Sequence, residues 1–103
     1  MLHVIATVTV KPGTRAEFLQ HFAWVTPQVR AEAGCIEYGA AVDLDTGISV
    51  QMALRPDVVV IVEKWESVAH LKAHFAAPHM AEYRLKVKEV VAGVTLQMLE
   101  PAT

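Results

Sequence analysis

The sequence predicts an α+β fold in which helices cover one face of an antiparallel sheet, with elements in the order βαββαβ. Three observations carry this. Residues His3 to Val10 alternate, with Val4, Ala6, Val8 and Val10 on one face and His3, Ile5, Thr7 and Thr9 on the other, the period of a half-buried strand. A second apolar run, Val58-Val59-Val60-Ile61-Val62, has no polar face at all, as in a strand covered on both sides. Each of these two strands is followed by a stretch with apolar residues at helical spacing.

Lys11-Pro12-Gly13 ends the first strand. A helix is then expected from Thr14, an N-cap candidate with Glu17 at the third helical position, carrying Phe18, Phe22, Val25 and Val29, with Leu19 and Ala23 widening the stripe. Pro27 would remove a hydrogen bond, so a kink or restart is expected there, with Thr26 capping a short second piece that stops at Ala33-Gly34. Cys35 to Leu44 reads as the second strand and Val58 to Trp65 as the third. Ser67 caps a helix carrying Val68, Leu71 and Phe75, and Pro78 opens another segment with Met80, Tyr83, Val87 and Val91. Gly93 closes that segment before a last strand from Val94 to Glu100.

Of the 103 residues, 53% are apolar and 19% charged, which suits one compact domain spanning 1–103. Nine Lys and Arg against eleven Asp and Glu give a formal charge of -2, with no footprint for nucleic acid or an anionic membrane. A single cysteine, Cys35, excludes an internal disulfide framework or a thiolate zinc cage, and a cytoplasmic setting is expected. No basic signal peptide and no apolar run of about 20 residues is present. No glycine-rich phosphate loop points to a nucleotide-derived redox cofactor, and no bound cofactor is expected.

Four stretches carry a family resemblance: the opening Val4-Ile5-Ala6-x-Val8-x-Val10-Lys11-Pro12-Gly13, then Arg30-Ala31-Glu32-Ala33-Gly34-Cys35-Ile36-Glu37-Tyr38, then Val62-Glu63-Lys64-Trp65-Glu66-Ser67, and Leu71 to Met80. In this order they resemble the antibiotic biosynthesis monooxygenase domain, a family of dimeric α/β barrels that includes cofactor-independent quinol monooxygenases. The resemblance covers nearly the whole chain apart from roughly 45–57. It implies a ferredoxin-like homodimer acting on a small aromatic substrate with dioxygen, specifically a cofactor-independent monooxygenase of a hydroquinone-like or polycyclic phenol. The rival is a non-catalytic or detoxifying small-molecule binder, or an isomerase, on the same fold.

The residues that could carry the chemistry are few. Trp65 matches the tryptophan of the family's Glu-x-Trp motif, and an indole there can wall a cavity for a planar ring, or simply fill the core. His74 matches the family's histidine on the helix after Trp65. A histidine can take the proton of a phenol near neutral pH, which leaves a ring electron-rich enough to pass an electron to dioxygen. The bland alternative is a structural histidine holding the loop before Pro78. Arg84 is the candidate to stabilise negative charge, and Tyr38, His79 and Tyr83 are candidates for substrate contact, each with a packing or surface alternative.

His70 and His74 stand four apart, the spacing of two imidazoles on one metal, with Glu63, Glu66 or His79 as a third ligand. The glutamate between the histidines of zinc-protease motifs is missing, and no metal is expected. Haem is disfavoured because the family's haem-degrading branch uses an asparagine on the first strand, where this chain has Ala6-Thr7-Val8. Between Asp45-Thr46-Gly47 and Arg55-Pro56-Asp57, Ile48, Val50, Met52 and Leu54 alternate with Ser49, Gln51, Ala53 and Arg55. A strand inserted there would reverse the third strand against the second, so an arm is expected whose apolar side packs on a partner protomer or over the pocket mouth.

Overall fold

The computed structural model describes residues 1–103. Its elements are β1 (Leu2–Val10), α1 (Arg15–Arg30), β2 (Cys35–Ala41), β3 (Val58–Trp65), α2 (Val68–Ala76), α3 (Pro78–Val87) and β4 (Val91–Leu99). The strands form one antiparallel sheet in the order β2-β3-β1-β4, a ferredoxin-like α+β arrangement. The register places Val4 opposite Glu63, Ala6 opposite Ile61 and Val8 opposite Val59 on the helix side. Against that side α1 packs Phe18, Phe22, Val25 and Val29, α2 packs Leu71, and α3 packs Met80, Tyr83 and Val87. No helix is long and apolar enough to cross a membrane.

The other side of the sheet carries Ile5, Val58, Val60 and Val62, all half-buried, with Leu99 exposed at the edge. The helices of one chain therefore cover only one face of β3, although its sequence is apolar on both.

Local chemistry changes several expected details. Thr14 stands at the N-cap of α1, yet its hydroxyl donates to the Lys11 carbonyl at 2.6 Å and makes no cap. It closes the turn in which Gly13 has φ +79. Helix α1 runs unbroken through Pro27, because the proline lies in the last turn, where one lost bond costs little against the burial of Phe22, Val25 and Val29. Thr26 caps nothing. It replaces Ala23 in the buried stripe and donates its hydroxyl to the Phe22 carbonyl at 2.7 Å. Helix α2 buries Leu71 and His74, while Phe75 is half-buried and Val68 is exposed.

Strand β2 ends at Ala41 rather than Leu44, and α3 ends at Val87. Val91 belongs to β4, and Gly93 lies within that strand, next to the register shift at Thr9/Val10. The segment 42–57 forms no strand despite its alternation. It is an arm closed at its base by Asp43, whose carboxylate accepts from the Arg55 guanidinium at 2.8 and 2.9 Å and from the Arg55 backbone N–H at 2.9 Å. Gly13 N–H donates to the Asp57 side chain and Val10 N–H to the Asp57 carbonyl, fixing the arm's return beside the β1–α1 turn. Ile48, Val50, Met52 and Leu54 are all exposed, because an isolated arm has no ladder partner within its own chain.

Candidate functional site

An apolar cavity of about 410 Å³ lies between the helix side of the sheet and helices α2 and α3. Its floor comes from Ala6, Val8 and Ile61, and its far wall from Val94 and Leu96 of β4. Six polar side chains reach it: Tyr38, Glu63, His74, Tyr83, Arg84 and Lys88. This volume suits a small aromatic molecule. The arm contributes no lining residue, so the expected placement of Ile48 to Leu54 over this mouth is not what the chain adopts.

His74 sits in the last turn of α2 and is 1% exposed. Its Nδ1 lies 2.9 Å from Oε2 of Glu32, in the turn after α1. A carboxylate there accepts the Nδ1 proton, which leaves Nε2 as the basic nitrogen. Nε2 has no partner within the chain, and no buried side-chain nitrogen or oxygen is left unpaired, so this atom keeps its access to the cavity. Burial holds the imidazole below its ordinary titration range against the opposing pull of Glu32, so it is neutral at pH 7. His74 and Leu71 share the buried face of α2.

Trp65 is not a cavity wall. It is fully buried at the end of β3, with the His74 ring packed on it at 4.7 Å between centroids. The reason is pleat geometry: Ile61, Glu63 and Trp65 point to the same side, but Trp65 stands at the strand end, where His74 of α2 covers it. Its indole N–H donates to Oε1 of Glu63 at 2.9 Å.

Glu63 is 4% exposed and lines the cavity on the central part of the sheet, opposite Val4 on β1 and Tyr38 on β2. Desolvation pushes its carboxyl up to about 7, against the hydrogen bond from Trp65. Tyr38 and Tyr83 both line the cavity, and burial raises both phenols above their ordinary range, so both stay protonated. Tyr38 stacks on Phe22 at 5.2 Å and meets the His74 ring edge-on at 5.5 Å.

His79 does not line the cavity. Its Nε2 lies 2.8 Å from the same Oε2 of Glu32, so it backs the carboxylate that holds His74. Arg84 lines the mouth, with one guanidinium nitrogen donating to the Phe75 carbonyl at 2.7 Å, which ties α3 to the end of α2. His70 turns elsewhere: its Nδ1 pairs with the Ser67 hydroxyl at 2.6 Å, and its Nε2 lies 3.9 Å from Glu66. The two histidines at metal spacing thus engage different partners, and no group of three His, Cys, Asp or Glu is arranged to hold a metal.

Two residues that matter most were not read as such from the sequence. Glu63 appeared as the glutamate of the Glu-x-Trp motif and as a metal-ligand option but not as a cavity group, although a carboxylate between Ile61 and Trp65 on the inward face of an apolar strand is itself a signal. Glu32 stands 42 residues from His74 in a turn, and no local pattern links them.

The sequence profile of the antibiotic biosynthesis monooxygenase family matches residues 1–86. The chain belongs to this family. The family's description and its relatives' names both support monooxygenation as the reaction class. Among the family's relatives, the Escherichia coli K12 protein named "Probable quinol monooxygenase YgiN" is 42% identical over 103 residues, covering 98% of each chain, and the protein of that name in Shigella flexneri matches equally well. Two solved structures share the fold. PA3566 from Pseudomonas aeruginosa has a TM-score of 0.81 at 22% identity, covering 99% of this chain and 94% of its own. Rv0793 from Mycobacterium tuberculosis has a TM-score of 0.80 at 25% identity, covering 99% and 95%.

Proposed function

We propose that this chain oxygenates a hydroquinone-like or polycyclic phenolic substrate without a bound cofactor. The observation that carries this reading is the single imidazole whose Nδ1 is fixed by Glu32 and whose Nε2 opens into an apolar cavity lined by tyrosines. In this reading His74 takes the proton of a phenolic hydroxyl, and the low-polarity surroundings leave the phenolate poorly solvated and prone to give an electron to dioxygen. Tyr38 and Tyr83 position the ring, and Arg84 at the mouth stabilises negative charge with the nitrogens not spent on Phe75. Trp65 and His79 act from behind, the first on Glu63 and His74, the second on Glu32. The name of the Escherichia coli relative supports a quinol as the substrate class.

We also propose that two copies pair through the open sheet face, which would give Ile5, Val58, Val60 and Val62 an apolar neighbour. A chain with a single cysteine fits a reducing compartment, and we place the reaction in the cytoplasm on that basis. Oxygen uptake with a panel of hydroquinones and anthrones tests the activity. Consumption of one O2 per ring oxidised is expected, whereas rings that bind without uptake would make the chain a binding protein.

A further inference from the structure

The cavity contains a second titratable group for which the reading above has no use. Glu63 is a buried carboxyl on the central strand β3, and only its Oε1 is engaged, by the indole N–H of Trp65. Oε2 has no partner within the chain, and since no buried side-chain oxygen is left unpaired, it opens into the cavity. The indole of Trp65 is shared: Glu63 is bonded to its N–H, and the ring of His74 lies against it at 4.7 Å between centroids. Glu63 and His74 thus present two proton-handling atoms to one apolar space from one fixed spacer.

Resting on the proposed oxygenation, we propose that Glu63 is a catalytic acid of this cavity, whose Oε2 faces the ring carbon that takes up dioxygen while Nε2 of His74 addresses the hydroxyl on the neighbouring carbon. A buried carboxyl costs least when protonated, and with desolvation pushing it up to about 7, Glu63 carries a proton to give near neutrality. The groups facing it are Tyr38 from β2, His74 from α2, Tyr83, Arg84 and Lys88 from α3 and its C-terminal end, and Glu32 behind His74, while β1 offers only Val4 and Ala6. Glu32 raises its pKa further, and no basic side chain is bonded to it.

The proton count closes with these two groups alone. His74 takes one hydroxyl proton, and the ring carbon beside the resulting carbonyl forms a C–O bond with dioxygen, giving a peroxide anion. Glu63 protonates the terminal peroxide oxygen. Its carboxylate then takes the proton of the same ring carbon, whose C–H electron pair forms the new C=O as the O–O bond breaks. The hydroxide expelled takes the proton held by His74 and leaves as water. Quinol plus O2 yields hydroxyquinone plus water, with both side chains back in their starting states.

The test uses Glu63→Gln, which keeps the acceptor for Trp65, and Glu63→Asp, with thermal melts to establish folding. With 1,4-dihydroxynaphthalene in an oxygen electrode, wild type should lose kcat as pH rises through about 7, Glu63→Gln should lose kcat on the order of 10²-fold and lack that limb, and Glu63→Asp should retain it. A Glu63→Gln variant within threefold of wild type with the same limb would overturn the proposal. A second readout needs no turnover: the protonated-carboxyl stretch in difference infrared spectra should shift when 2-hydroxy-1,4-naphthoquinone binds, and be absent in Glu63→Gln. An unmoved band, or no binding, would overturn the proposal. A shifted band with no oxygen uptake from any quinol would sink the oxygenase reading and leave the Glu63 contact standing.

Discussion

Glu32 holds the imidazole of His74 by its Nδ1 at 2.9 Å across 42 residues of sequence, and so decides which ring nitrogen is basic. The carboxylate comes from the turn that follows α1 and the histidine from the end of α2, so the pair also fastens two helices that touch the same sheet. Glu32→Gln presents an amide that can donate to Nδ1 and stabilise the opposite tautomer, with Nε2 protonated. The expected result is a fall in kcat of roughly 10²- to 10⁴-fold with little change in thermal midpoint. His74→Ala should lose activity on the same scale while the far-ultraviolet circular dichroism stays native. Either variant within about threefold of wild type on the true substrate would return His74 to a structural role.

Glu63 makes stability depend on pH in a stated direction. Its carboxyl is pushed up from 4.5 to about 7, so the folded chain holds a proton that the unfolded chain releases between those values. The stability contributed by this group is intact below pH 4.5, falls as pH rises and is lost above about 7, a change on the order of 3 kcal/mol. Denaturant titrations of wild type against Glu63→Gln isolate the effect, because other groups cancel in the difference. Equal pH slopes for the two proteins would mean that Glu63 is not proton-bound in the fold.

Gly34 closes the turn before β2 with φ +80, and a Cβ built there would stand 2.3 Å from Cγ of His70. Both backbone strain and a clash with a ring follow from one added methyl, so Gly34→Ala should destabilise by about 2 kcal/mol or more. His70 would have to leave Ser67, the cap of α2, which carries His74. Urea unfolding of Gly34→Ala and of the double variant with His70→Ala separates the two causes, since removing the ring should restore part of the loss.

The open sheet face and the arm make separable predictions about assembly. Val60→Lys places a charge among Ile5, Val58 and Val62 and should shift sedimentation from dimer to monomer at low micromolar concentration. A wild-type chain that sediments as a monomer there would remove the pairing proposal. Replacing 46–56 with a short Asn-Gly turn removes Ile48, Val50, Met52 and Leu54 together, and should weaken the dimer if those side chains rest on a second copy. An unchanged dimerisation constant would leave the arm a solvent-exposed excursion.

Much of the fold was legible because the signals were short-range. The alternation of Val4 to Val10 and the bounds Val58 and Trp65 of β3 follow from pleat period and turn residues, and the structure keeps them. Thr14 and Thr26 went differently because each hydroxyl donates to a carbonyl three or four residues back, Lys11 and Phe22, instead of accepting at a helix N-terminus, and Gly93 because its strand is set by the distant β1 register. The arm's alternation could not become a strand without a ladder to join. At the site, Tyr38, His74, Tyr83 and Arg84 were found in the sequence and line one cavity, whereas Trp65 and His79 stand one layer back. That layering depends on which carboxylates the two groups meet, and a contact between Glu32 and His74 leaves no trace in local pattern.

The position of Trp65 turns the cavity into an optical reporter. The chain has two tryptophans, one sealed against an imidazole that changes charge and the other 38% exposed beneath the ammonium of Lys86 at 4.5 Å. Replacing Trp24 with phenylalanine leaves a single indole whose emission belongs to a dry environment and is quenched when the adjacent ring becomes cationic. Ligand entry, protonation of His74 and any disturbance of the Glu63 hydrogen bond then register as intensity or wavelength changes in the ultraviolet, without a label and without a chromophoric substrate.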